Sequence, residues 1–299
     1  MTLEERVWAA VEAYTDAKIR AIRPLGGGFY GRVFLVDANE SIVAKIYLFP
    51  NLARREALQL GTLAHYGKAR VPKVYHVCEG ALLMEYIPGE NAGLVREIPA
   101  PFRARVAEEM VENLVSYHDV RHPEGFGELD AEAFEKDFRT LYYPVAAAVR
   151  DKAQILHEKG ALDGTTMAAF DRALARFWDV FALPIEDARL VHGDYNTWNV
   201  LLAEDLSRVR AVIDPFGCRW SDPEFDLYQL DNANGRMYGL HELYGKRRVL
   251  SDNYPQKRAF YELFTELNHF SDANVSLEQS NIPAQARTLM ARMRDAGIP

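Results

Sequence analysis

The chain has 299 residues, 48% of them hydrophobic and 26% charged, an ordinary balance for a soluble globular protein of one large domain or two lobes. Its net charge of −8 argues against nucleic acid or an anionic membrane surface as the main partner and suits an amine-bearing small substrate. Cys78 and Cys218 are too few for a disulfide framework and wrongly spaced for a zinc site.

The first stretch, MTLEERVWAAVEAY, starts acidic and amphipathic, without the basic start and apolar core of a secretory signal. No apolar run approaches the roughly 20 residues that span a bilayer, so a cytoplasmic protein is expected. A helix is predicted over about 3–15. Residues 32–36 (RVFLV) and 42–48 (IVAKIYL) read as strands joined by the turn formers of DANES. A helix follows over 51–65 with Asn51 as its N-cap, then strands over 71–77 and 81–86 around a Glu79-Gly80 turn.

Beyond Pro88-Gly89 the pattern turns helical, at about 101–118, 131–157, 165–181 and 256–270. One β-rich island, 189–214, interrupts it. The expected organisation is a strand-rich lobe over 1–88 and a helical lobe over 89–299, with a hinge at 85–89. The fold class is α+β.

The chemistry concentrates in the island. LVHGDYNTWNVLL is followed by RAVIDPFGCRWSDPEFDLYQL, which spaces Asp194, Asn199 and Asp214 between short apolar β-type segments. Each alone could cap a turn, but three at these offsets suit phosphoryl transfer. A nucleotide triphosphate needs a metal to neutralise charge on its oxygens, and Mg²⁺ takes hard oxygen ligands. Asn199 and Asp214 would supply them, while Asp194 would accept the proton of a substrate hydroxyl and orient it.

Upstream, LGGGFYGRVFLV places Gly26, Gly27, Gly28 and Gly31 before a strand, where backbone N–H groups can approach phosphates closely. A glycine turn joining two strands has the same pattern. Lys45, in IVAKIY, alternates with Val43 and Tyr47 and needs an anionic partner if it faces inward. Nucleotide phosphates and Glu56, the acidic residue of the next helix, would provide one; the other reading is a solvated lysine on the outer face. LLMEYIPGE (82–90) suits a hinge whose backbone at Glu85 and Tyr86 brackets an adenine edge, with Leu83 and Met84 on the ring face. It equally suits an apolar strand ending in a Pro-Gly turn.

Together HGDYNTWN and IDPF resemble the HGD-x4-N loop and ID strand end of the aminoglycoside phosphotransferase and choline kinase-like superfamily, relatives of the protein kinases. The resemblance runs from the glycine loop to about residue 230, and more faintly to 270. It implies a bilobal protein-kinase-like fold, with an antiparallel β-sheet N-lobe carrying one main helix and a mostly helical C-lobe. It also implies Asp194 as catalytic base, Asn199 and Asp214 as Mg²⁺ ligands, and Lys45 on the nucleotide phosphates. His192 would buttress the loop, Asp226 of SDPEFDL would hydrogen-bond it, and Asp222-Pro223 would form a structural turn. EFDL leading to LHELYG (240–245), and RAFYELFTELNHF (258–270), are similar to the fructosamine kinase-like branch. The loop departs from that branch in reading YNTW where Leu-Trp-Ser-Gly is usual, residues 231–239 look inserted, and the glycine loop is richer in glycine.

The implied activity is transfer of the γ-phosphate of ATP, or of GTP, to a hydroxyl of a sugar or amino-sugar derivative, by a monomer or homodimer. The alternatives are an aminoglycoside O-phosphotransferase and, from another class, a catalytically silent nucleotide-binding pseudokinase. The second normally lacks the lysine, the catalytic Asp or the metal Asp, all present here. The short segment between Asp214 and SDPEFD leaves no room for the activation loop of a protein kinase. Tyr195, Asn196, Thr197 and Trp198 inside the loop, with Trp220 and Glu224 after Asp214, are substrate-binding candidates, and Asp231, Asn232 and Asn234 lie further along. Trp198 and Trp220 could stack on a sugar or hold a cation, or could simply pack. HELYGKRR (241–248) reads as a solvated helix end.

Overall fold

A computed structural model of the chain describes residues 2–272, 277 and 280–299. The elements run α1 (Leu3–Tyr14), β1 (Ala21–Gly27), β2 (Gly31–Asp37), β3 (Ser41–Tyr47), α2 (Leu52–Tyr66), β4 (Val74–Cys78), β5 (Ala81–Glu85), β6 (Glu90–Asn91) and α3 (Ala100–His118). Next come β7 (Gly127–Glu128), α4 (Phe138–Glu158), α5 (Gly164–Ala175), α6 (Phe177–Val180), β8 (Arg189–Val191), β9 (Val200–Leu202), β10 (Val209–Val212) and β11 (Arg219–Ser221). The chain closes with α7 (Gly235–Tyr238), α8 (Leu240–Arg247), α9 (Tyr254–Asp272) and α10 (Ile282–Asp295). This is the α+β, protein-kinase-like class expected from the sequence: an antiparallel N-lobe sheet and a mostly helical C-lobe.

The N-terminal sheet is five-stranded, in the order β1-β2-β3-β5-β4. Ile42, Ala44 and Ile46 alternate along the central strand β3 and pack with Val7 and Val11 of α1 in one core cluster. The same alternation sends Lys45 and Tyr47 to the other face, where Glu56 of α2 meets them. Thr2 and Glu5 start α1 with a reciprocal capping box.

Four local expectations change. Asn51 makes no side-chain cap, because its backbone is already helical. The helix expected over 131–157 begins at Phe138, because Glu135 exchanges backbone hydrogen bonds with Phe126 and Asp137 caps the helix. The helix expected over 165–181 breaks at Arg176 into α5 and α6. β1 and α10 were not expected: β1 is an exposed edge strand containing a proline and glycines, and α10 carries its proline in the first turn.

The chain forms two compact units. The first comprises Met1–Tyr117, His192–Cys218 and Asp231–Leu243. Within it β9 pairs with β10 and with β6, so the HGD loop and the segment after residue 88 share one small sheet. Residues 88–89, where element content changes from strands to helices, thus lie inside this unit. The second comprises His118–Val191, Arg219–Leu230 and Tyr244–Pro299. Its helices pack through aromatic rings, including Phe138, Tyr142, Phe177, Phe181, Phe260 and Tyr261. Among the described residues no helix is long and apolar enough to cross a membrane.

Candidate active site

The site begins with Gly193, whose φ of +85° only glycine adopts without strain. A Cβ there would lie 2.1 Å from the Phe216 carbonyl, so glycine lets the HGD loop press against the chain just past Asp214. His192 is fully buried behind the loop and accepts the Asp194 backbone N–H on Nδ1 at 3.3 Å, with its ring edge-on to Tyr195. Tyr195 in turn donates to the Met110 carbonyl of α3 at 2.8 Å.

Both carboxylate oxygens of Asp194 are gripped by amides. Asn199 Nδ2 donates to Oδ2 at 2.8 Å and to the Asp194 carbonyl at 2.8 Å. Asn196 Nδ2 donates to Oδ1 at 2.7 Å. With its nitrogen on Asp194, Asn199 turns its own Oδ1 the other way. Its backbone carbonyl accepts from Ile213 N–H at 2.9 Å, which fixes the residue before Asp214. Asp214 has a left-handed backbone, φ +54°, unusual outside glycine, and a side chain 49% exposed.

Asp214 Oδ1 accepts from Lys45, which also donates to Glu56 Oε2 at 2.6 Å. Lys45 is only 9% exposed. Burial alone would lower its pKa, but Asp214 and Glu56 outweigh it and hold the ammonium above the ordinary lysine range. Burial raises the Glu56 carboxyl, opposed chiefly by Lys45. Tyr47, which sequence reasoning treated only as a member of the strand's alternation, donates to the same Glu56 oxygen at 2.7 Å. Lys45 thus joins Glu56 to Asp214, and Asn199 joins Asp194 to Ile213, the neighbour of Asp214, all within the first unit.

The glycine loop joins β1 to β2. A Cβ on Gly27 would lie 2.8 Å from the Gly31 carbonyl and one on Gly31 2.7 Å from the Ile46 carbonyl, whereas Gly28 faces open space. Arg32 donates to the carbonyls of Gly28 and Gly31, and Tyr30 stacks on Phe216 at 4.7 Å. The Glu85 carboxylate is held by Arg70 and its backbone N–H by the Lys73 carbonyl. Tyr86 follows the end of β5 and makes no backbone hydrogen bond among the described residues.

The other expected positions separate. Trp198 is 48% exposed, and its ring lies over Gly93, where a Cβ would come within 2.8 Å. Its carbonyl accepts from Asn91. Thr197 is buried in the turn. Asn234 donates to the carbonyls of Ala92 and Val95, and Tyr238 to Ala92, so residues 231–239 latch the segment beside Trp198. Asp231 and Asn232 open that latch, and Asn232 accepts the Gly235 N–H through its carbonyl.

Trp220 and Glu224 are both buried within the second unit. β11 pairs with β8 and carries Trp220 into the second unit, 7% exposed against His122. Glu224 is buried on Lys257 and Ser251. Asp222 accepts from Lys257 and Tyr261, each at 2.7 Å. Asp226 is fully buried and pairs with His118 at 3.1 Å, which also contacts Tyr244. Arg248 of the HELYGKRR stretch is tied down on Asp119 and the His118 carbonyl. A cavity of about 530 Å³ in the second unit, lined by Asp163, Thr166, Arg287 and Arg294 among others, contains none of the chemistry-bearing residues above.

Among the described residues no three His, Cys, Asp or Glu side chains form a metal cage. The pair that remains, the Oδ1 of Asn199 and the half-exposed Asp214 carboxylate, is the sparse hard-oxygen set that suits Mg²⁺, an ion usually completed by phosphates and water.

A lysine–glutamate pair beside a loop of Asp and Asn, closed by an Asp at a strand end, defines a protein-kinase-like phosphotransferase. The Phosphotransferase enzyme family matches residues 21–260, and the chain belongs to that family. It is a phosphotransferase, an enzyme that transfers a phosphoryl group. No curated protein sequence matches it. Among solved structures, one assigned as a fructosamine-3-kinase from Haemophilus somnus 129PT is similar, with a TM-score of 0.76, 17% identity, and coverage of 97% of this chain and 99% of that one. A second so assigned, from Thermobifida fusca YX-ER1, has a TM-score of 0.67 at 17% identity, covering 97% and 100%. The gentamicin complex of APH(2")-IIa has a TM-score of 0.70 at 15% identity, covering 97% of each chain.

Proposed function

We propose that the protein transfers the γ-phosphate of ATP, as its Mg²⁺ complex, to a hydroxyl of a sugar or amino-sugar derivative of the ketosamine type. The observation that carries this reading is Lys45 held between Glu56 and Asp214, with Asn199 holding Asp194 by its side chain and Ile213, next to Asp214, by its carbonyl. Asn199 Oδ1 and the Asp214 carboxylate would hold the metal, which neutralises charge on the phosphates when bound. Lys45, kept protonated by its acidic partners, binds the phosphate oxygens while Glu56 fixes its direction. The backbone of Gly27 and Gly28 faces the phosphates, and the chain at Glu85 and Tyr86 receives the base, with only Tyr86 offering an N–H not already bonded to backbone. Asp194 accepts the proton of the acceptor hydroxyl and aligns its oxygen for attack. His192 holds the Asp194 backbone, and Trp198 presents the exposed ring on the loop for the acceptor.

Likeness to fructosamine-3-kinase structures over almost the whole chain supports the ketosamine type. An aminoglycoside acceptor is the second reading, supported by likeness to aminoglycoside-bound APH(2") structures and by the chain's net charge of −8. The test is a nucleotide-consumption screen with ATP and GTP across fructosamines, aminoglycosides, hexoses, choline and ethanolamine. Fructosamine-dependent consumption is the expected result. Consumption with aminoglycosides alone transfers the assignment to the second reading, and no acceptor-dependent consumption points to a silent nucleotide-binding protein.

A further inference from the structure

Asn196 lies between the catalytic-base candidate and the exposed tryptophan of the same loop, and its side chain is fixed at both ends. Its Oδ1 accepts the Trp198 backbone N–H at 2.9 Å, which caps the short helical turn over Thr197–Asn199. The amide group is planar, so an oxygen committed to that cap sends Nδ2 to the opposite side. Nδ2 donates to Asp194 Oδ1 at 2.7 Å and lies 3.4 Å from the Asp194 carbonyl. Asn196 is 7% exposed, so this amide sits beneath the loop and not on its open surface.

We propose that Asn196 is a positioning residue for phosphoryl transfer: with Asn199 it clamps the Asp194 carboxylate in the orientation that receives the acceptor hydroxyl. The inference rests on the reading of Asp194 as the base. The two amides hold opposite oxygens of one carboxylate, Asn196 on Oδ1 and Asn199 on Oδ2. One donor alone would leave the carboxylate free to rotate about its Cβ–Cγ bond. Two donors on different residues, each anchored elsewhere, remove that freedom. Asn196 is anchored through Trp198 N–H, and Asn199 through the Ile213 N–H on its carbonyl. Each carboxylate oxygen keeps lone pairs for a further donor, so the clamp orients Asp194 without blocking it. Asn196 thus leaves the group of residues that would touch the substrate and joins those that aim the base. No bond is made or broken at Asn196.

The capping and clamping roles use different atoms of one side chain, and this makes the proposal testable. In Asn196→Ser a hydroxyl still caps the turn, since Ser and Asn are comparable N-caps, but no amide donor reaches Asp194. Asn196→Asp keeps the cap and places a second carboxylate against Asp194. Both would be compared with the wild-type chain and Asp194→Asn. The readouts are phosphate release from Mg²⁺·ATP with water as acceptor, in single turnover with enzyme in excess, together with nucleotide affinity and thermal midpoint. We expect Asn196→Ser to release phosphate about 10- to 100-fold more slowly, the value of one hydrogen bond to a charged group, and Asn196→Asp more slowly still. Nucleotide affinity should stay within about twofold, a split between rate and binding that a merely structural cap would not produce. Wild-type release by Asn196→Ser overturns the proposal, as does a slowed rate matched by an equal loss of nucleotide affinity or a collapsed thermal midpoint in both variants. If Asp194→Asn releases phosphate as fast as wild type, the reading of Asp194 fails, a result separable from failure at Asn196 alone.

Discussion

The Nδ2 of Asn199 donates to both the backbone carbonyl and the Oδ2 of Asp194, each at 2.8 Å. In the proposed reading one amide serves two ends, its nitrogen on the base and its oxygen left for the metal. Asn199→Asp keeps a hard oxygen but loses the donor and sets two carboxylates together. Turnover should fall by about 100-fold while Mg²⁺ is still required, measured by steady-state rates across a Mg²⁺ titration. A wild-type rate would show that Asp194 does not need this amide.

Tyr47 and Lys45 donate to the same Glu56 oxygen, at 2.7 and 2.6 Å, and the ammonium lies 5.3 Å from the Tyr47 ring centre. Tyr47→Phe keeps the ring and removes one donor from a buried carboxylate. Stability should drop by about 1–3 kcal/mol in denaturant unfolding, and nucleotide affinity should weaken as Glu56 loses its second anchor. An unchanged unfolding midpoint would argue against Tyr47 as a support for the pair.

The glycine loop separates steric from functional need. Gly31→Ala should destabilise the sheet, because its Cβ would meet the Ile46 carbonyl at 2.7 Å. Gly28→Ala meets nothing within 4 Å and should fold normally. If the loop backbone approaches phosphate at Gly28, nucleotide KM should rise about tenfold in that variant at unchanged thermal midpoint. An unchanged KM would place the phosphates elsewhere.

The site was legible where its chemistry is local. HGDYNTWN and IDPF carry Asp194, Asn199 and Asp214 at fixed spacings, and Lys45 with Glu56 follows from a strand leading into a helix eleven positions on. What was not legible depended on pairing that no local pattern encodes. Trp220 and Glu224 are close in sequence to Asp214, yet Trp220 is buried in β11, which pairs with β8, and Glu224 is buried on Lys257. Tyr47 gains a role only because α2 brings Glu56 over its hydroxyl. The two-residue strands β6 and β7 are too short for any period, and β1 and α10 each contain a proline, one on a sheet edge and the other in a first helical turn.

Lys257 is buried in the second unit between Asp222 and Glu224, at 2.7 and 2.8 Å. Burial would lower its pKa, but the two carboxylates outweigh that and raise it. Burial also pushes Tyr142, Tyr244 and Tyr261 up, and Tyr238 to about 12. All these folded values exceed the unfolded ones, near 10 for tyrosine and 10.4 for lysine. Their stabilisation is therefore complete below about pH 10 and lost as pH rises further. The thermal midpoint should fall steeply above pH 10. Lys257→Met, which strands two buried carboxylates, should cost about 3–5 kcal/mol in denaturant unfolding. A midpoint flat to pH 11, or a neutral Lys257→Met, would contradict this account.

The most direct measurement is turnover by Asp194→Asn at saturating Mg²⁺·ATP, with nucleotide affinity measured beside it. The substitution keeps size and one accepting oxygen, gives up one of the two amide contacts, and removes the proton acceptor. The account predicts intact folding, nucleotide affinity within about twofold of wild type, and a kcat lower by about two to four orders of magnitude. A near-wild-type kcat would contradict it.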